Sequence, residues 1–513
     1  MKKVSKKRAL RYGTVSLLLC LTVVICVVVL NVIASALCLR YDWMYVEMSS
    51  PAVYKISDAC HDYIEKYVIP EIDKSKSQGK DSYLQILLCD GGTENARDDN
   101  YKHVYDSLQE LCGMFEGYIR IDHLNIWVHP SLAKRYDVNS SEDIVCIFNG
   151  KHETVSVDDF YITETNGSTV NYTAFNGEKI IASCFMSVPQ EDTPVCYLTI
   201  NHGEVYEDYE FVRIITEAGY SVGTLDMNTD GIPEDCDLLV TYNPKKDFSV
   251  KNEVSNESEI EMLEEYMSLG GKYMVFLSPD TFASGGLENL EGFLSSWGFE
   301  YMHETNDDGI EACSIVKDSA NSLTADGYTL LAKSADNRIM SAIPASSLNN
   351  SFGSTTYMSV SEGFSPNGPA YVSSDGKREL YPMFLARNTA VAWADGKAVA
   401  RASEEDFILM SLCEQDCDNG EKSYLLASAS TDFASGDAMQ SAVLGNSRVM
   451  TELFKFMGKE NAPTSIVFKP FGQTVIQSLT SRNANIITVV MTAIPAFAVS
   501  VTGGVILIRR KNK

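Results

Sequence analysis

The sequence predicts an α/β protein whose large domain sits outside a membrane between two anchoring spans. Three observations carry that expectation. Two uncharged apolar stretches, residues 14–39 and 486–508, frame the chain. Between them, apolar runs of strand length alternate with segments of helical spacing, the pattern of sheets covered by helices. Basic residues flank the pair on its outer sides: Lys2, Lys3, Lys6, Lys7, Arg8 and Arg11 before the first stretch, Arg509, Arg510, Lys511 and Lys513 after the second.

Each stretch is long enough to cross a bilayer, which takes ~20 apolar residues as a helix. The positive-inside rule then places both termini in the cytoplasm. A signal peptide is the competing reading of the first stretch, because Ala34-Ser35-Ala36 resembles a cleavage site. Its apolar run is much longer than the ~7–15 residues of a signal peptide, however. In the second stretch, Pro495, Gly503 and Gly504 are the candidate membrane-packing residues, since small side chains let helices approach closely. The expected organisation is a basic tail (1–13), a span (14–39), a first α/β unit with a membrane-proximal helix (40–180), and a second α/β domain (181–460). That second domain carries a Ser/Gly/Asp-rich insertion around 300–420. A linker (461–485), the second span (486–508) and a basic tail (509–513) complete it.

Setting aside the ten basic residues of the tails, 32 basic residues face 69 acidic ones, a net −37 for residues 14–508. Such a surface repels phosphate backbones, so nucleic acid is excluded as a partner. Thirteen cysteines are scattered, with three in the first span. Cys413 and Cys417 are the closest pair outside it, and either a local disulfide or two free thiols suits them.

The elements follow in order. Ser57 is a candidate N-cap for a helix that turns Ile64, Val68 and Ile69 to one face. A strand at 83–89 precedes a helix marked by Val104, Leu108, Leu111 and Phe115. A strand at 118–127, a short helix at 130–136, and strands at 144–148 and 152–157 around Asn149-Gly150 complete the unit. The order β-α-β-α-β-β is thioredoxin-like, but no CxxC lies there and redox activity does not follow.

In the second domain a strand at 194–200 ends at Asn201-His202-Gly203-Glu204. A helix follows with Tyr209, Val212 and Ile215 on one face, then strands at 220–225 and 237–242. Asn256 or Ser258 starts a helix that Gly270-Gly271 stops. A strand at 273–277 and a helix at 287–297 come next, and a strand near 423–435 and a helix at 446–458 return to the sheet. This is the pattern of a parallel-sheet unit of the flavodoxin or glutamine-amidotransferase type.

Candidate chemistry is sparse. No phosphate-binding glycine loop and no Gly-x-Ser-x-Gly elbow is present, and neither Cys196 nor Cys236 stands where a glutaminase-like nucleophile would. Asp226, Asn228, Asp230 and Asp237 match the ligand spacing of a calcium loop, but strands flank them in place of helices. His303 is expected in a surface loop. His202 and Glu204 remain, as a general base with an orienting acid or as parts of a βα turn in which Glu204 complements a helix dipole. Asn201, His202, Gly203 and Glu204 are therefore the candidate ligand or partner turn, and no catalytic residue, cofactor or metal is assigned.

"YLTINHGE" followed by a helix resembles the strand–Gly-His-Gly-Glu–helix start of the GldG-like (gliding-motility-type) auxiliary proteins of ABC transporters. "DGIPEDCDLLVTYNPKKDFS", "EEYMSLGGKYMVFLSPD", "SASTDFAS" and "GNSRVMTELFKFMGKE" are similar to later segments of that family, and "YKISDAC" and "LAKRYDV" to early ones. Asn201 stands where the family has Gly, and Ser428 to Asp432 depart from its Gly-Asp-Ser-Asp. The resemblance implies a non-catalytic membrane subunit that associates with an ABC permease and its ATPase. The alternatives are an extracytoplasmic hydrolase and a glycan- or peptide-binding surface module without a transporter.

Overall fold

A computed structural model describes residues 51–471, apart from 90–98, 167–168, 191–192, 207–208, 252–257, 306–310, 345–346, 442 and 460. Both expected spans, with Pro495, Gly503 and Gly504, lie outside the described residues. Among the described residues no helix is long and apolar enough to cross a membrane. Lys469 ends the first of two compact units, and the description concerns that unit.

Ser57 caps the first long helix, accepting from Cys60 N at 3.3 Å, and Ile64 and Val68 are buried as their spacing predicts. The first sheet contains β1 (Leu84–Leu88), β2 (Ile119–His123), β3 (Asp143–Phe148) and β4 (Lys151–Ser156), in the order β2-β1-β3-β4. β2 runs parallel to β1, and β3 and β4 run antiparallel to their neighbours. The β3–β4 turn depends on Asn149 (φ 50) and Gly150 (φ 82), both left-handed as a two-residue hairpin of matching twist requires. Continuous apolar composition does not mark the next elements. The hairpin β5 (Tyr161–Asn166) and β6 (Thr169–Phe175) leads into the helix Gly177–Ser187. That helix is buried nearly all round, so it lacks the single apolar face that would announce it.

The large sheet opens with β7 (Val195–Thr199), β8 (Ser221–Leu225), β9 (Cys236–Tyr242) and β10 (Lys272–Phe276). β11 (Phe364–Asn367), β12 (Ala370–Ser373), β13 (Arg378–Leu385), β14 (Ile408–Asp416) and β15 (Lys422–Ser428) extend it. The order is β11-β12-β13-β14-β15-β10-β9-β7-β8. β15, β10, β9, β7 and β8 are mutually parallel. Numbered along the chain, these five have the flavodoxin-type order 2-1-3-4-5.

Their apolar runs are buried on both faces, as a parallel sheet requires. Leu238, Val240, Met274, Phe276 and Leu426 face a core with Phe211, Ile214, Val449 and Leu453 from helices Tyr209–Glu217 and Asn446–Phe456. Leu239, Tyr273, Val275, Leu425 and Ala427 face the opposite core, with Leu263, Met267, Leu290 and Phe293 from helices Glu259–Ser268 and Glu288–Ser296. Helix Tyr209–Glu217 is rotated from expectation. Phe211, Ile214 and Ile215 are buried and Val212 only partly, because the face that packs with Leu238, Val240 and Phe276 is the one that holds Phe211 and Ile214.

The Ser/Gly/Asp-rich region is not a mere insertion. β11 to β14 form the antiparallel half of the same sheet. Pro382 disguises β13 in the sequence. It is accommodated at a register shift between Pro382 and Phe384, where a strand tolerates proline. All ten described cysteines are free thiols, Cys413 and Cys417 included.

Candidate functional site

The parallel strands reverse order between β7 and β9, and in open α/β sheets ligands bind at such a switch point beyond the strands' carboxyl ends. Asn201-His202-Gly203-Glu204 follows β7 directly at this place. Asn201 and Gly203 are both left-handed (φ 83 each), and this double twist turns His202 inward. The His202 carbonyl accepts from Lys245 N at 2.6 Å and Lys246 N at 2.9 Å, which ties the turn after β7 to the turn after β9.

His202 is 3% exposed. Its ring lies flat on Phe248, with centroids 4.1 Å apart and planes at 3°. Nδ1 is 3.2 Å from Glu204 Oε1, and Nε2 is 3.0 Å from Glu259 Oε1. Glu204 is held in turn, accepting from His202 N at 2.7 Å and from Thr199 Oγ1 at 2.8 Å. Thr199 continues through Thr241 to the Tyr273 hydroxyl, at 2.9 and 2.8 Å. Glu259 accepts from Ser249 N at 2.7 Å.

Burial by itself would lower the His202 pKa, but hydrogen bonds and charges from Glu204 and Glu259 outweigh it and raise the pKa to about 9. Burial likewise opposes the Glu259 charge, and its bonds to His202 and Ser249 lower its pKa in spite of that. At neutral pH the group is an imidazolium between two carboxylates, with both ring nitrogens engaged as donors. A general base needs a free nitrogen lone pair, so His202 is not poised as one. The imidazole and its two carboxylates occupy the turn beside the β7–β9 switch point. Clefts of about 500, 180 and 710 Å³ lie elsewhere on the described surface.

The rim around this plug is polar. Asn201 donates to the Asp226 carboxylate. Lys245 donates to Asn243 Oδ1 at 3.0 Å, to the Asp280 carbonyl at 2.9 Å and to the Asp280 carboxylate. The hydrogen bond from Lys245 lowers the Asp280 pKa. The sequence points to His202 and Glu204 but not to Glu259 or Phe248. Ser258 as helix N-cap was the available signal, since it puts Glu259 at the first helical position.

The other candidates separate. Asp226 caps the short helix Met227–Asp230 beyond the carboxyl end of β8, whereas Asp237 lies near the start of β9 and accepts from Val195 N at 2.9 Å. They stand at opposite ends of their strands, so the calcium-loop spacing does not converge on one ion. His303 is not a loop residue. It lies on strand His303–Thr305, 2.5 Å from Glu291 Oε2 and with Nδ1 3.5 Å from Cys313 Sγ. The order Cys–His–Glu is that of a nucleophilic relay. Cys313 is only 8% exposed, and burial together with the Glu291 charge pushes its thiol far up, so the thiolate is disfavoured.

Among known proteins, residues 190–324 match the model of a family described as an ABC-type uncharacterized transport system. The matched segment holds β7 to β10 and the whole His202 cluster. No curated protein matches the chain. A solved structure, the mmIFT52 N-terminal domain, is similar at 14% identity and a TM-score of 0.35, over 51% of this chain and 96% of its own. A likeness at that score carries no argument. The similarity to that family is thus confined to residues 190–324, and the match draws no distinction of a GldG-like branch.

Proposed function

We propose that the protein is a non-catalytic auxiliary subunit of an ABC-type transport system, with a large domain outside the membrane that engages substrate, envelope or partner subunits. The family match over residues 190–324 carries this reading. Two further observations support it. The switch point of the sheet is filled by His202 and its two carboxylates, which favours a binding scaffold over a hydrolase. The described domain also begins and ends at one place. Lys469 Nζ donates to the Lys55 carbonyl and to Glu178, both at 2.6 Å, and Glu178 accepts from Ser57 N at 2.6 Å. The described residues that lead in sequence toward the apolar stretches 14–39 and 486–508 thus meet, which suits a two-helix anchor with both termini cytoplasmic. Pro495, Gly503 and Gly504 would pack beside permease helices.

Purification of the tagged full chain in mild detergent tests the proposal. Co-recovery of an ABC permease and its ATPase is expected, and recovery of no transport component overturns it.

A further inference from the structure

We infer that the cleft between the end of helix Glu288–Ser296 and the β12–β13 turn binds a small ligand that carries one carboxylate and two ammonium groups, a basic amino acid or short basic peptide. Arg378 takes the carboxylate, and Glu300 and Glu362 take the ammonium groups. The cleft measures about 500 Å³, within the ~300–1,000 Å³ of small-molecule sites. Its charged lining comes from three places. Glu300 lies on strand Phe299–Tyr301, Glu362 in the turn before β11, and Arg378 at the start of β13.

Arg378 has the geometry of a carboxylate receptor. Its guanidinium stands 4.4 Å from the ring centroid of the buried Trp297. Nε donates to Gln415 Oε1 at 2.7 Å, and Nη1 donates to the Ser296 carbonyl. The ring and these two neutral acceptors fix the plane of the fork without neutralising it. Among the described residues no carboxylate stands within salt-bridge range of Arg378, and no acceptor takes the N–H groups of Nη2. Burial lowers the Arg378 pKa in spite of the nearby Asp375 and Glu264 charges. Asp375 is otherwise engaged, since its Oδ1 accepts from Ser373 Oγ at 2.5 Å and from Lys377 N at 3.0 Å. A ligand carboxylate at Nη2 supplies the missing counter-charge through a charge-assisted bond.

Glu300 and Glu362 supply the opposite sign. Both are exposed, and among the described residues neither carboxylate has a hydrogen-bond or ion-pair partner. The backbone around them is held. Ser361 N donates to the Gly298 carbonyl at 3.1 Å, Ser361 Oγ to the Ser295 carbonyl at 2.8 Å, and Ser374 N to the Gly363 carbonyl at 3.0 Å. The groups are therefore set in place before a ligand arrives, which lowers the ordering cost of binding. Their charges select its class. One unmatched cation faces two unmatched carboxylates. A simple anion would meet repulsion from the pair, and an apolar ligand would dehydrate all three charges without replacing their water. A carboxylate joined to two ammonium groups matches each in turn.

The inference stands apart from the transport reading, since recovery of a permease requires no ligand in this cleft. The test is calorimetric titration of the detergent-purified full chain with L-lysine, glycyl-L-lysine and lysinamide. Saturable binding of L-lysine or of glycyl-L-lysine is expected, with a dissociation constant below about 1 mM. The tighter of the two identifies the source as a free amino acid or a peptide. Lysinamide, which lacks the carboxylate, should bind at least tenfold more weakly than L-lysine. Arg378→Gln should remove that preference. Glu300→Gln and Glu362→Gln should each weaken the binding of L-lysine at least fivefold. No saturable binding of either carboxylate-bearing probe, equal affinity for lysinamide, or affinity unchanged in both glutamate variants would each overturn the inference. Lysinamide and the two exposed glutamate positions decide the matter even where Arg378→Gln fails to fold.

Discussion

His202 contributes a charge to a place that excludes water, and the two carboxylates on its ring nitrogens make that charge stable. Removing one member of a buried ion pair leaves the others uncompensated and typically costs about 3–5 kcal/mol. His202→Ala, which strands Glu204 and Glu259, should lower stability by about that amount in denaturant unfolding, whereas His202→Ala with Glu259→Gln should recover part of it. The pH dependence has a definite sign. The folded pKa, about 9, lies above the ordinary value of ~6.5. The stabilisation is therefore whole below pH ~6.5 and is lost as pH rises through about 9. A series of unfolding curves from pH 6 to 10 should show wild type converging on His202→Gln at the alkaline end. A constant gap across that range would show that the imidazole is not charged in the fold. The sequence marked His202 and Glu204 because they sit two apart in a turn. It could not mark Glu259, 55 positions beyond Glu204, whose approach depends on how the helix Glu259–Ser268 lies over β9 and β10.

At the scale of elements, the loop after β9 organises a helix it does not precede. The Asp247 carboxylate accepts from Asn289 N at 2.9 Å and Leu290 N at 3.1 Å, so it caps helix Glu288–Ser296 from 42 residues away. Loss of an N-cap costs about 1 kcal/mol. Asp247→Ala should destabilise the chain by that amount and speed amide exchange in the first turn of the helix, and unchanged exchange at Asn289 and Leu290 would refute the cap. Local caps were legible where they are local: Ser57 starts a helix in the sequence and in the structure, and of Asn256 and Ser258 the structure selects Ser258. β13 shows the opposite case. A proline removes a ladder N–H, yet the register shift beside Pro382 keeps the strand in the sheet, and only its partner β14 can specify that.

Over the whole molecule, the two α/β units are joined by buried charge as well as apolar contact. Glu217 pairs with Lys179 at 2.7 Å and with Arg213, and accepts from Asn176 Nδ2 at 2.6 Å. Burial opposes its charge, and the two cations outweigh it and hold its pKa below the usual carboxylate value. This stabilisation exists above the ordinary Glu pKa and is lost as pH falls. The meeting of Lys55 and Lys469 gives a second whole-molecule expectation. Lys469→Met, which removes the bonds to the Lys55 carbonyl and to the buried Glu178, should lower stability in denaturant unfolding, and an unchanged midpoint would show that the two ends are not held by this contact. By itself the sequence determined the periods of its elements, because apolar spacing and turn residues act within a few positions. That is enough for the α/β class, the strands of the first sheet, the parallel strands of the second, the Asn149-Gly150 hairpin and the place of the βα turn. Tertiary structure alone decided the rest: that residues 364–416 extend one sheet and that His202 meets Glu259. Those outcomes depend on which distant surfaces pack together, a choice settled by burial and pairing across the whole chain and not by any local spacing.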